Sequence, residues 1–540
     1  MRAAGFVVFA AAATLLPALV VAWNMGVLAP FWFLAGDAYL YLGIGEASHG
    51  VAMSFDGTRA TNGFHPLWQV WVRLAVALTG DPLQAMTLVA WSAIAATAGG
   101  VVALGAAIRR FTGSWLLAML AVPGVYYLTI GQALQNLPVW GFFDGMEAGL
   151  AFLLAALVFW LIASGARSLV VGLVLAALVL TRLDEVFVPA AMALAVAFWP
   201  GGRPAGRWID AARIIGPTAL ALLAFAAWSW ATTGMLAPVS GAAKGEGALL
   251  QNGWVTLATF LSPLIDLRAA LTAWQPDREG LLGGAFRVVE LIVPALFALG
   301  FLAALLRRFA ARPWAPLLAG VAGGVLIKAV YDLTSVSYWH QATWYFALAT
   351  AFMSLGTAIL LAPAARRLTP RSAGLAAVVL GGFTLLHASL WSAHLMNDRL
   401  RPMQRDFWLA RAETDAAIRA AEPDPRVMEF GDGLLNFTFD FPVRHGFVFA
   451  GDAQSLAALR ENRLLRDAFA DGFRLLSSYE YLRVPDGAET WDSETIRAWL
   501  LASFLDDRIK DELRHFDFAM AYVARPWGVP FIRLIARDRG

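Results

Sequence analysis

The sequence predicts an α-helical polytopic membrane protein of about 11 transmembrane helices, with re-entrant or interfacial helices between them and a small soluble α+β domain at the C-terminal end. Three observations lead there. Of 540 residues, 59% are hydrophobic and 15% charged, more apolar surface than a soluble core of this length can hide. Apolar runs of about 17 to 25 residues recur, each long enough to cross a hydrocarbon layer of roughly 30 Å as a helix. Finally, 24 of the 39 acidic residues follow residue 392, where those runs stop. The boundary divides the chain into a membrane domain with external loops, 1–392, and a soluble domain, 393–540.

Ala3 to Trp23 follows Arg2 and shows no small-residue cleavage pattern, so it reads as a signal anchor. The further crossings are Leu83 to Ile108, Ser114 to Ile130, Ala148 to Ser164, Leu169 to Thr181, Val186 to Trp199 and Ile214 to Trp230. Phe286 to Leu306, Trp314 to Tyr331, Thr343 to Leu361 and Ala373 to Trp391 complete the set. The basic clusters at Arg2, Arg109-Arg110, Arg167, Arg203/Arg207/Arg213, Arg307-Arg308/Arg312 and Arg366-Arg367/Arg371 then fall in alternate loops. The preference of arginine for the cytoplasm puts those loops inside. Loops 24–82, 131–147, 182–185, 231–285 and 332–342, with the tail, lie outside, which puts the working face on the outer side of the membrane. Phe64 to Thr79 is apolar enough to cross, but a crossing there would reverse every later loop. It therefore reads as interfacial or re-entrant, the alternative being a true crossing balanced by a non-crossing Ser114 to Ile130. In the tail, Arg426 to Phe430 and His445 to Ala450 have strand content, while Asp452 to Phe469 and Ser493 to Phe504 read as helices.

The absence of cysteine removes disulfides, thiolate catalysis and cysteine-ligated metals from consideration. Lysine occurs only at 244, 328 and 510, which singles out Lys244 and Lys328 in the membrane domain. The chemistry-bearing residues gather in the external loops. The first contains Gly36-Asp37-Ala38-Tyr39, then Glu46, His49 and Thr61-Asn62-Gly63-Phe64-His65-Pro66-Leu67-Trp68. A carboxylate beside a hydrophobic helix, followed by an Asn-Gly turn and a His-Pro helix start, pairs a base with phosphate ligands at a membrane surface.

This loop resembles that of GT-C glycosyltransferases, polytopic enzymes that use polyprenyl-phosphate sugars. The likeness is greatest to bacterial members reading Asp-Asp-Ala-Tyr and then Thr-Asn-Gly-Phe/Tyr-His-Pro-Leu-Trp. Gly145-Met146-Glu147, Arg182-Leu183-Asp184, Pro238 to Lys244 and Trp344-Tyr345 resemble further motifs in the same order. The resemblance implies a GT-C fold and an inverting transfer from a polyprenyl-phosphate sugar donor to a glycan, lipid or protein acceptor at the outer face. It implies Asp37 as general base, with His65, Arg182, Lys244 and Lys328 as donors to the phosphate. Tyr39, Asn62, Glu147, Asp184, His340, Trp344 and Tyr345 would contact substrate. Gly36 stands where the family has its first acid, which weakens the case for a divalent metal held by an acidic pair; no cofactor is assigned. Membrane lipid is an expected partner and nucleic acid is not.

Each residue also has a structural reading. Asp37 suits the N-cap of a helix Ala38 to Ala47; His65 and His49 suit interfacial histidines; Asp144 and Glu147 suit a helix start. Arg182 and Asp184 suit an ion pair, Lys244 a solvated lysine, and Lys328 a side chain snorkelling from near the outer end of its helix. His340, Trp344 and Tyr345 suit aromatic anchoring at an interface as well as stacking. A non-enzymatic lipid-glycan transporter or flippase is the competing function, and it calls for related halves and broken helices that the sequence does not display.

Overall fold

A computed structural model describes residues 3–126, 141–200, 204–243, 296, 299–335, 343–398 and 400–537, except 432, 479–481, 504–506 and 526. Among the described residues, six helices are long and apolar enough to cross a membrane: Ala3–Leu28, Pro82–Thr112, Ala205–Thr233, Ala315–Asp332, Trp344–Ala365 and Pro370–Asn397. The Ala148–Ala163, Ser168–Thr181 and Phe187–Phe198 helices are also apolar but shorter. Glycines set the closest contacts between helices. A Cβ at Gly149 would stand 2.5 Å from the Ala93 carbonyl oxygen, so only glycine lets Ala148–Ala163 lie this tightly along Pro82–Thr112.

The Pro66–Thr79 helix has 14 residues, roughly 21 Å at 1.5 Å per residue, short of a hydrocarbon layer. Pro66 starts it, and Gly80, left-handed at φ 63°, ends it before Asp81 caps the next helix through the Gln84 amide. The described part of Ser114 to Ile130 is not one continuous α-helix. After Trp115–Ala118 the chain tightens into 3-10 turns, the second beginning at Pro123, which has no amide hydrogen to donate. Residues 127–130 lie outside the described part, as does the start of Phe286 to Leu306, which is helical from residue 299.

The soluble domain contains a five-stranded sheet in the order β2-β1-β3-β5-β4. Val427–Glu429 (β1) is parallel to Val443–His445 (β2) and Leu475–Ser477 (β3). Val529–Ala536 (β5) is antiparallel to β3 and to Phe516–Ala524 (β4). The strand expected over His445 to Ala450 ends at His445, because the chain turns there. Asp452 to Phe469 is two helices, Ala453–Arg460 and Leu464–Ala470, the first capped by the Asp452 carboxylate.

This domain is fastened to the loop after the first helix. The Leu434–Thr438 helix packs on Gly36–Ala47, and Gly43 leaves room for Asn436, whose Nδ2 donates to the Phe55 carbonyl at 2.7 Å. Arg444 pairs with Asp56 at 3.4 Å and Asp471 at 2.7 Å, and lies 4.0 Å over the Phe473 ring. Arg59 reaches Asp471 at 2.6 Å. Because Arg444 and Asp56 are both buried, Arg444→Met should destabilise this docking by about 3 kcal/mol, the cost of leaving a buried carboxylate without its cation. Urea unfolding of the detergent-solubilised chain measures it.

Candidate functional site

The Gly36–Ala47 helix places Asp37, Leu40, Tyr41 and Ile44 at i, i+3, i+4 and i+7, one face of the helix. All four line a cleft between the membrane helices and the soluble domain. Gly63, Phe64 and His65 join them from the first loop, Met146 and Glu147 from the second, and Arg182 from the third. Ser240, Trp344, Tyr345 and the soluble domain's Phe449 complete the lining. Asp37 is not the N-cap. Ala35 takes that position, extended at φ −68° and ψ 160°, because its amide is held by the Asp144 carbonyl at 2.8 Å; Asp37 falls in the first turn.

A buried chain of charges runs along one side. Tyr41 donates to Glu147 Oε2 at 3.0 Å, and Arg182 Nη1 donates to Glu147 Oε1 at 2.6 Å. Arg182 also grips Asp184 with two bonds, Nε at 3.1 Å and Nη2 at 3.0 Å. Lys328 continues the chain, 3.0 Å from Asp184 and 2.8 Å from Asp332. It does not snorkel: Asp332, one turn on, and Asp184 across the helix contact hold its ammonium inside the protein. Burial disfavours the Asp184 carboxylate, but Arg182 and Lys328 outweigh it and hold the group below the usual carboxylate range. The neighbouring Glu185 is pushed up to about 8 by burial, against the pull of Lys328.

His65 bridges two loops. Its Nδ1 accepts the Leu183 amide at 3.3 Å, which puts the proton of a neutral ring on Nε2, and Nε2 stands 3.6 Å from Glu147 Oε1. Tyr345 lies under the cations, with the Arg182 guanidinium 4.5 Å and the Lys328 ammonium 5.5 Å from its ring centroid. The 445–451 turn brings Phe449 to the cleft with Val448 at φ 64°, a left-handed conformation costly for a β-branched residue. Gly63 receives that turn: a Cβ there would stand 2.0 Å from the Phe449 carbonyl oxygen.

The structure thus brings together Asp37, His65, Glu147, Arg182, Asp184, Lys328, Trp344 and Tyr345. Tyr39 is buried against Phe437 and does not line the cleft. Asn62 ties the loop down: its Nδ2 donates to the Ser229 hydroxyl at 2.7 Å and the Ala237 carbonyl at 2.9 Å, while its oxygen accepts the Val239 amide at 2.8 Å. Lys244 and His340 lie outside the described residues. Tyr41, Phe449, Glu185 and Asp332 were not singled out from the sequence. The position of Tyr41, four residues after Asp37, and of Asp332, four after Lys328, were the available signals. Among the described residues, no three His, Asp or Glu side chains stand together as a metal site. The carboxylates of the lining are Asp37 and Glu147, and Glu147 is already engaged by Arg182 and Tyr41.

Asp144 gives a pH prediction. Burial pushes its carboxyl up from 3.8 to about 8; the Met146 amide on Oδ1 pulls the other way, and Glu147 adds to the rise. The folded chain keeps this proton where the unfolded chain loses it, so stability is full below about pH 4 and is lost as pH rises to about 8. Asp144→Asn should flatten that loss, which is on the order of a few kcal/mol. Thermal unfolding of wild type and variant at pH 6 and pH 9 reads the difference.

No family model matches the chain, and no curated protein sequence matches it. Solved structures that resemble it in fold include two membrane proteins. The oligosaccharyltransferase of Archaeoglobus fulgidus in its apo form aligns at a TM-score of 0.50 and 12% identity, covering 98% of this chain and 74% of that one. ArnT from Cupriavidus metallidurans in the apo state aligns at a TM-score of 0.50 and 12% identity, covering 95% and 98%. At this identity the likeness is one of fold, and it extends over nearly the whole of this chain.

Proposed function

We propose that the chain is an inverting glycosyltransferase that moves a sugar from a polyprenyl-phosphate donor to a glycan, lipid or protein acceptor at the outer face of the bacterial inner membrane. The observation that carries this reading is Asp37 lining a cleft with the buried Glu147–Arg182 pair and with Trp344 and Tyr345, where membrane helices meet a soluble domain. The Asp37 carboxylate takes the proton of an acceptor hydroxyl as that oxygen attacks the anomeric carbon. The bond from the anomeric carbon to the phosphate oxygen breaks, its electron pair leaves on the lipid phosphate, and the configuration inverts.

Positive charge near the departing oxygen stabilises it. Arg182 uses three of its five N–H groups on Glu147 and Asp184, leaving two for a phosphate oxygen. His65 Nε2 and Lys244 are further donors, and Lys328 holds the network in register through Asp184. Trp344 and Tyr345 flank the sugar or the first isoprene units. The arginine-rich loops on the other side of the membrane support the periplasmic placement of this face.

Mass spectrometry of envelope glycans and lipid-linked sugars in a deletion strain tests the proposal. It predicts a missing glycan and a matching build-up of polyprenyl-linked sugar. Identical profiles in the deletion and parent strains would remove the proposal's basis.

A further inference from the structure

An apolar groove lies on the arginine-rich end of the membrane domain, apart from the cleft. Leu169 and Leu173 line one side and Ile209, Gly216, Pro217 and Leu220 the other, with Arg213 among them. The sequence builds this shape through two residues. A Cβ at Gly172 would lie 2.2 Å from the Arg213 carbonyl oxygen, so the two helices touch there and diverge beside the contact. Pro217, four residues after Arg213, has no N–H for that carbonyl. The large aliphatic lining residues are about half exposed or more, Leu173 being 55% and Leu220 70% accessible, while Gly216 and Pro217 are half-buried. The spanning window of this helix is only 17% buried, so in a membrane these residues face lipid.

Arg213 decides what kind of lipid. Phe198 and Trp208 are exposed and in ring contact at 5.3 Å, an aromatic pair suited to the membrane–water interface. Arg213 is five residues further into the span, roughly 7.5 Å deeper along the helix axis. Its side chain is 57% exposed, and its contact to Asp210 is long, 3.5 Å, while Asp210 also accepts the Ser168 hydroxyl at 2.9 Å. A guanidinium on a lipid-facing wall below the aromatic level is costly unless an anion accompanies it. Arg207, on the same helix, donates to the Trp199 carbonyl, so Arg213 is the cation that lines the groove.

We infer that the groove binds an anionic phospholipid of the adjoining leaflet, its phosphate on Arg213 and one acyl chain along Leu173 and Leu220. The site does not depend on the glycosyltransferase reading, because it involves none of the cleft residues.

Native mass spectrometry of the full chain tests it, with phosphatidylglycerol and phosphatidylcholine of identical acyl chains as probes. Wild type should retain phosphatidylglycerol preferentially. Arg213→Gln should lower that retention about fivefold, as expected for one arginine at an anionic lipid surface, and Arg213→Lys should restore most of it. A Cβ at Gly216 meets nothing within 4 Å, so Gly216→Leu starts into open space, fills the groove and should expel the lipid. Equal retention of the two lipids by wild type overturns the assignment. So does phosphatidylglycerol retention that neither variant changes, or its displacement from wild type by undecaprenyl phosphate, which would make the prenyl lipid the occupant.

Discussion

Replacing Asp37 by Asn is expected to slow sugar transfer by about 10²- to 10⁴-fold, the usual contribution of a positioned general base. Asparagine keeps the size and shape of the side chain but cannot take the acceptor's proton. The helix itself should survive, because its N-terminus is organised by Ala35 and the Asp144 carbonyl rather than by the Asp37 side chain. Binding of a polyprenyl phosphate should change little. Single-turnover transfer rates and lipid binding by the purified variant separate these two effects, and parallel losses in both would assign Asp37 to binding rather than proton transfer.

The second large effect is expected at Arg182. Its guanidinium is almost wholly buried and satisfies Glu147 and Asp184 together, so Arg182→Leu leaves buried Glu147 without that cation and Asp184 with Lys328 alone. A loss of about 3–5 kcal/mol in stability follows, together with loss of transfer. Neutralising the partners distinguishes the causes. Arg182→Leu combined with Glu147→Gln and Asp184→Asn should recover much of the stability, because hydrogen-bonding amides replace stranded charges, and should recover none of the activity. Thermal unfolding in detergent and glycan analysis read the two separately. Recovery of activity alongside stability would reduce the network to a scaffold.

The membrane fold was legible because lipid forces long apolar helices to appear as long apolar runs. At Ser114 to Ile130 hydropathy is continuous, but it gave no sign of the change from α-helix to 3-10 turns at Met119 and Pro123. Aspartate's preference for helix caps pointed to Asp37, yet a contact from residue 144 fixed the entry one residue before Gly36. Such contacts cannot be read from neighbouring residues. Asn62 likewise looks like a turn residue in sequence, and its bonds go to Ser229, Ala237 and Val239, more than 160 residues away. Lys328 read as a snorkelling lysine because hydropathy places it near a helix end; Asp332 at i+4 was the local sign of an ion pair, and Asp184 became visible only in three dimensions. Strands β3, β4 and β5 went unseen: β3 has only three residues, and β4 and β5, of nine and eight, lie in a tail of mixed periodicity.

The ordered motifs pointed to Asp37, His65, Glu147, Arg182, Trp344 and Tyr345, and these six residues line one cavity. Phe449 could not be anticipated. It reaches the cavity only because a strained turn at Val448 meets the side-chain-free surface of Gly63, nearly 400 residues earlier.

The most direct test of the central claim uses the purified chain in nanodiscs with a lipid extract from the deletion strain, which supplies the unused lipid-linked sugar. Mass spectrometry follows the polyprenyl phosphate released. Wild type should convert polyprenyl-linked sugar to polyprenyl phosphate in step with glycosylation of an acceptor, and Asp37→Asn should leave the lipid-linked sugar intact. Release of no polyprenyl phosphate by wild type, or equal release by both proteins, would contradict it.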